Sequence, residues 1–218
     1  MAILLTVLMR IRIRHWFSIF RFSIVVATCA ISSAMAQPSP NSDHVRIVAL
    51  GSSNTEGKIV SGDQAYPAQL ERQLQAQGFN VAVSNQGVSG DTTTDQRRRL
   101  ETAIPDGTQI VLFQPGTNDC GRRGIGKNQM EENISAMLSR MKEKHLEVLV
   151  LGGGCYEELQ ASLPLKYGFT YYGKMAQGLK DFSRPDGQHF TADGYSRMAE
   201  LLLPSVKMLI QNVLAGKK

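Results

Sequence analysis

Two short segments at opposite ends of the chain carry residue types suited to acyl transfer. Gly51-Ser52-Ser53-Asn54-Thr55 follows directly on an apolar run, and Asp186-Gly187-Gln188-His189 stands just before a C-terminal helical pattern. A serine hydroxyl is a weak nucleophile until a base takes its proton. An imidazole is such a base when a carboxylate holds its tautomer and stabilises its cation. On this reading Ser53 is the nucleophile, His189 the base and later the acid, and Asp186 the orienting carboxylate. Gly187 eases the tight turn. The remaining histidines are poorer candidates: His15 lies in a basic leader, His44 in a linker, and His145 after a helix and away from the strand tips. Two more segments supply donors. Asn85-Gln86-Gly87-Val88-Ser89-Gly90-Asp91 allows close approach of backbone N–H groups, and Gly116-Thr117-Asn118-Asp119 offers a carboxamide. The N–H groups of Ser53 and Gly90 and the Asn118 side chain can converge on one developing oxyanion. Each segment also has a plainer meaning as a cap, a glycine turn or an Asx turn.

These residues need a frame that brings them to one place. Apolar runs at Val45–Leu50, Val81–Val83, Ile110–Phe113 and Val148–Leu151 read as strands. Helical patterns lie between and after them, at Tyr66–Gln77, Thr94–Ala103 and Lys127–Lys144, with a last helix from Thr191 towards Leu214 that Pro204 is expected to kink. Residues 156–185 are the least legible; Tyr167–Tyr172 reads as a fifth strand or as a loop over the site. Strands alternating with helices imply parallel β-α-β units. Near-continuous apolar strands imply helices on both faces. In such sheets ligands bind beyond the carboxyl ends of the strands. That rule selects Gly51–Gly57, Asn85–Asp91, Gly116–Gly126 and Gly152–Cys155.

The four polar segments, in this order, resemble the conserved blocks of the SGNH hydrolases, also called GDSL esterases/lipases. The resemblance is to bacterial thioesterase I/lysophospholipase-like and arylesterase-like members and covers residues Val45 to Leu214. It implies an α/β fold of three layers, α/β/α, with a flavodoxin-like parallel sheet of about five strands. It gives Ser53, Asp186 and His189 the triad roles and Ser53, Gly90 and Asn118 the oxyanion hole. It implies hydrolysis of carboxylic ester or thioester bonds through an acyl-enzyme on Ser53, without cofactor or metal. The chain departs from the family where Ser52 replaces the usual aspartate before the nucleophile, Asn54 the usual leucine after it, and Phe190 the usual proline after the histidine.

Composition narrows the setting. The 218 residues are 42% hydrophobic and 20% charged, enough for one domain with its own core. Four units of the net charge of +5 come from Arg10, Arg12, Arg14 and Arg21, so the remainder is nearly balanced. This argues against a nucleic-acid partner. Arg97-Arg98-Arg99, the one dense basic run left, reads as a solvated helix face. Residues 1–36 read as a signal peptide with a basic region, an apolar stretch too short to span a bilayer comfortably, and an Ala34-Met35-Ala36 cleavage site; Met9 is an alternative start. Residues 37–44 read as a linker and 45–218 as the enzyme domain. The expected setting is periplasmic or secreted, as a monomer with no stable membrane span after cleavage, acting on a small-molecule ester. Cys120 and Cys155, which remain after cleavage, can pair or stay as buried thiols; sequence leaves both open.

Two other functions fit parts of the sequence. Gly121–Asn128 approaches a phosphate-cradling loop but has Asn128 where a magnesium-binding hydroxyl is required. A non-catalytic binding protein on the same fold is the more serious rival, since fold does not fix function. No G-x-S-x-G elbow points to an α/β-hydrolase.

Overall fold

The computed structural model describes residues 44–121 and 124–216. The leader, its cleavage site and all of the linker but His44 lie outside these residues, as do Arg122, Arg123, Lys217 and Lys218. Alternation of side chains along the strands determines the layering. In β1 (Val45–Gly51), Val45, Ile47 and Ala49 face one side and Val48 and Leu50 the other. The same split divides Ile110 and Leu112 from Val111 and Phe113 in β3 (Ile110–Phe113), and Leu149 and Leu151 from Val148 and Val150 in β4 (Glu147–Gly152). Apolar surface on both faces demands a helical layer on each, and two separate cores result.

One core is closed by α2 (Tyr66–Ala76), through Tyr66, Leu70 and Leu74, and by α7 (Ala192–Gly216), through Tyr195, Met198, Leu202, Val206, Leu209 and Ile210. The other is closed chiefly by α4 (Leu100–Ala103), through Leu100 and Ala103, by α5 (Lys127–Glu143), through Met130, Ile134, Met137, Leu138 and Met141, and by α6 (Glu157–Tyr167), through Leu159 and Leu163. Two short helices sit against the strand ends: α1 (Ser53–Glu56) and α3 (Thr93–Arg98). With β2 (Val81–Gly87) and β5 (Thr170–Lys174), the strands form a five-stranded parallel sheet in the order β2-β1-β3-β4-β5. The expected three-layer, flavodoxin-like arrangement is borne out. The strand order switches sides between β1 and β3, since β2 lies on one flank of β1 and β3 on the other, and this is where such sheets open a crevice.

Several local expectations are corrected. The helix expected over 94–103 is two, because Arg99 leaves helical dihedrals (φ −101°, ψ 10°) between α3 and α4. Residues 157–167 form a helix the pattern did not disclose; Leu165 points outward while Leu159 and Leu163 point in, and Pro164 lies in the last turn. The Tyr167–Tyr172 ambiguity resolves into β5. The last helix continues through Pro204, and the Thr191 hydroxyl accepts from Gly194 N–H at its start (3.2 Å). By length and composition α7 is apolar enough to cross a bilayer; here its apolar side is part of the core.

Cys120 and Cys155 are joined by a disulfide with Cα atoms 5.7 Å apart. It ties the loop after β3 to the loop after β4. Closing a loop of 35 residues in the unfolded chain removes entropy worth about 2–4 kcal/mol of stability. The double variant Cys120→Ser/Cys155→Ser is therefore expected to unfold at lower denaturant concentration than the oxidised protein. An equal midpoint would show that the cross-link adds nothing.

Candidate active site

Ser53 opens α1 two residues beyond the end of β1. The turn is tight: Thr55 and Glu56 N–H both donate to Ser52 O, at 3.0 and 2.9 Å. A side chain at Gly51 would strike the Thr55 side chain and come within 2.7 Å of Gln114 Oε1, so only glycine fits. Gln114, at the end of β3, is buried. Its Oε1 accepts from Ser52 N–H (3.2 Å) and Thr55 Oγ1–H (2.8 Å), and its Nε2 donates to Thr117 Oγ1 (2.7 Å). One glutamine thus joins the serine turn to the Asn118 loop. Ser52 Oγ is buried without a hydrogen-bond partner among the described residues.

The histidine arrives from the far end of the sequence on a pinned turn. Arg184 N–H donates to His189 O (2.8 Å), Gly187 N–H to Arg184 O (2.9 Å), and Thr191 N–H to Phe182 O (3.0 Å). The Asp186 carboxylate accepts from Gln188 N–H (2.9 Å) and His189 N–H (3.0 Å) through Oδ1, and from His189 Nδ1 through Oδ2 (2.7 Å). The ring hydrogen bond and the two backbone N–H groups hold the Asp186 carboxyl well below the usual carboxylate range. A carboxylate only accepts, so the proton is on Nδ1, and Nε2 of the neutral ring presents a lone pair. Ser53 Oγ lies 2.9 Å from that nitrogen and donates to it. Ser53 and His189 are 8% and 7% exposed, so the pair is largely screened from bulk water.

Asn54 spans the two halves. Its Nδ2 donates to Gln188 O (3.1 Å), and its Oδ1 accepts from Tyr195 O–H (3.2 Å). The residue that departs from the family's leucine therefore links the serine turn to the histidine turn.

The proposed oxyanion donors come from two further strand ends. Gly90 sits in the loop after β2 with φ +86°, a conformation that favours glycine. Asn118 donates from Nδ2 to Asp91 O (2.8 Å); a second N–H remains on that nitrogen. The loop is anchored by Asp119, whose carboxylate is buried and accepts from Thr93 N–H and Thr93 Oγ1–H. Burial pushes the Asp119 carboxyl up, and the Thr93 hydrogen bonds oppose that.

Ser53 and Asn118 share a cleft of about 300 Å³. Gly152, Gly153 and Gly154 form one wall, Met175, Ala176 and Phe190 an apolar one, and Asn54, Gln114, Thr117 and Gln188 a polar one; Glu157 and Lys174 also line it and pair at 3.2 Å. Gly90 is not among the lining residues. The buried Gln160 fixes the glycine wall, accepting from Gly153 N–H (2.8 Å) and donating to Gly153 O and Cys155 O (3.0 and 2.9 Å). His145 lies far from this rim, beside the amino-terminal ends of β3 and β4 with Gln109 and Glu147. His44 contacts Asn80.

Sequence reasoning missed Gln114, Gln160 and Arg99. Each is an ordinary polar residue whose role depends on which loop ends lie nearby. Arg99 is not part of a solvated face: its side chain is 21% exposed and turned inward onto Asp91.

Comparisons with known proteins show the family and the fold. Residues 49–168 match the GDSL-like Lipase/Acylhydrolase family. The chain is 25% identical over 187 residues to Esterase TesA of Pseudomonas aeruginosa, covering 75% of this chain and 89% of that protein. It is 30% identical over 150 residues to an arylesterase of Vibrio mimicus, covering 68% and 67%. Among solved structures it superposes on TesA with a TM-score of 0.67 at 23% identity, covering 75% of this chain and 99% of that one. It superposes on the psychrotrophic esterase EstA from Pseudoalteromonas sp., inhibited by monoethylphosphonate, with a TM-score of 0.68 at 16% identity, covering 75% and 97%. The chain belongs to the GDSL-like lipase/acylhydrolase family.

Proposed function

We propose that this protein is a serine ester hydrolase acting through an acyl-enzyme on Ser53. The observation that carries the reading is the hydrogen bond from Ser53 Oγ to His189 Nε2 at 2.9 Å, continued from Nδ1 to Asp186 at 2.7 Å. As Oγ attacks an ester carbonyl, Nε2 takes its proton, and Asp186 stabilises the resulting imidazolium. The carbonyl oxygen gains negative charge beside Ser53 N–H and the Asn118 carboxamide, from residues that line the cleft, and we assign Gly90 N–H on the adjoining loop as the third donor. Donors fixed before the reaction lower its barrier because they need no reorganisation. The imidazolium then gives its proton to the departing alkoxide or thiolate, leaving Ser53 acylated. A water deprotonated by His189 attacks the acyl carbon, and collapse of that intermediate releases the acid and returns the proton to Ser53. A non-catalytic binding protein has no use for a buried serine hydroxyl aimed at an oriented imidazole.

The cleft lies at the small end of the range for small-molecule sites, which suits a short acyl group. Residues 1–36 fit an export signal cleaved after Ala36, so we place residues 45–218 as a monomeric hydrolase in the periplasm or outside the cell.

The mature protein is expected to cleave chromogenic short-chain esters, and Ser53→Ala to reduce kcat to background. A phosphonate label should modify Ser53, as mapped by peptide mass. Undiminished turnover in Ser53→Ala would remove this nucleophile. Asp186→Asn should lower kcat by about 10⁴-fold, because the amide favours the wrong imidazole tautomer. Acidification should also lower the rate, since a protonated His189 accepts no proton. Asp186, held well below the usual carboxylate range, stays ionised throughout this loss. A rate that stays flat on acidification would contradict a histidine base. Across a series of p-nitrophenyl esters, kcat/KM should peak at short acyl chains; a maximum at long chains would contradict the cleft's size.

A further inference from the structure

Arg99 makes an unusual set of contacts for one member of a basic run. Its Nε donates to Asp91 Oδ2 at 2.7 Å, and its Nη2 donates to Gly51 O at 3.1 Å and to Gln86 O at 2.9 Å. Gly51 ends β1 and lies two residues before Ser53. Gln86 is near the end of β2. Asp91 directly follows Gly90, and its own carbonyl accepts from Asn118 Nδ2 at 2.8 Å. A single guanidinium thus binds the serine turn and the Gly90 loop directly, and reaches the Asn118 carboxamide through one residue. Its neighbours behave differently: Arg97 pairs with Glu132 and Asn133, and Arg98 with Asp95, on more exposed surface.

Gly51 O already accepts from Val88 N–H (3.2 Å) at the last rung of the β1–β2 ladder, so the guanidinium adds a further donor there and ties the two strand ends to the loop that follows. Arginine presents several donors in one rigid plane, so it can hold two carbonyls and a carboxylate together; a lysine ammonium lacks that fork. The charge is balanced by Asp91, whose side chain is 11% exposed. The inward turn of Arg99 also coincides with the break between α3 and α4.

We propose that Arg99 is a positioning residue for the oxyanion-binding groups. It fixes the Gly90–Asp91 backbone relative to the Ser53 turn, and through Asp91 O it orients the Asn118 carboxamide. The proposal rests on the ester-hydrolase reading. It touches no substrate atom, so its removal should act on the transition state more than on substrate binding. A displacement of about 1 Å in such donors can cost as much as about 10²-fold in rate.

The test is steady-state kinetics on a chromogenic short-chain ester for Arg99→Met, Arg99→Lys, Asp91→Asn and Arg99→Met/Asp91→Asn. Active-site titration and circular dichroism report the folded fraction, and Arg98→Ala serves as the control. The expected result is a fall in kcat of about 10- to 10²-fold for Arg99→Met, with KM little changed. Arg99→Lys should be intermediate, and the double variant no worse than the poorer single one, since both act through one contact. Arg98→Ala should match the unaltered protein. If Arg99→Met does not fold, Arg99→Lys and Asp91→Asn carry the same comparison. The proposal is overturned if kcat per folded site is unchanged, if KM rises while kcat holds, or if the two losses add. A wild-type protein with no ester turnover would instead reject the hydrolase reading, and this proposal with it.

Discussion

All five strands run in the same direction, and this one constraint determines where the chemistry can be. Parallel pairing places every strand's carboxyl end on one edge of the sheet, so the loops after β1, β2, β3 and β4 emerge side by side although they are far apart in sequence. Helices on both faces keep that edge the only place where these loops can meet. The serine turn, the Gly90 loop, the Asn118 loop and the glycine wall are neighbours for this reason. The histidine turn joins them from the segment before α7.

Individual side chains then fasten the loops to one another. Gln114 connects the serine turn to the Asn118 loop, Arg99 connects it to the Gly90 loop, Asn54 connects it to the histidine turn, and Gln160 holds the glycine wall. The Cys120–Cys155 bond adds a covalent tie between the two loops beyond β3 and β4. Gln114 and Gln160 are themselves buried, and their hydrogen bonds satisfy polar groups that would otherwise be costly, so at these two ties stability and placement of the site arise from the same contacts.

The frame was legible in the sequence because its signals are periodic and local. Apolar runs of strand length separated by helical patterns disclosed four strands and most helices, and the resemblance to the family fixed the order of the polar blocks. The fastening residues were illegible for the opposite reason. Nothing near Arg99 in sequence distinguishes it from Arg97 or Arg98; what separates them is that Gly51 O and Gln86 O lie within its reach. Likewise α6 was hidden because its buried Leu159 and Leu163 are interleaved with outward residues and a proline in the last turn. Such roles are properties of the folded neighbourhood rather than of any short window of residues.

The turn that bears His189 is held by backbone hydrogen bonds between residues 182 and 191, by its link to Asn54, and by Phe190, which is buried in the core that α7 closes and packs edge-on against Tyr195. The catalytic base thus adjoins a side chain seated in the same apolar layer that holds the last helix. Loosening the first turn of α7 should therefore displace the imidazole as well as weaken the fold, so the placement of the base and the docking of that helix stand or fall together.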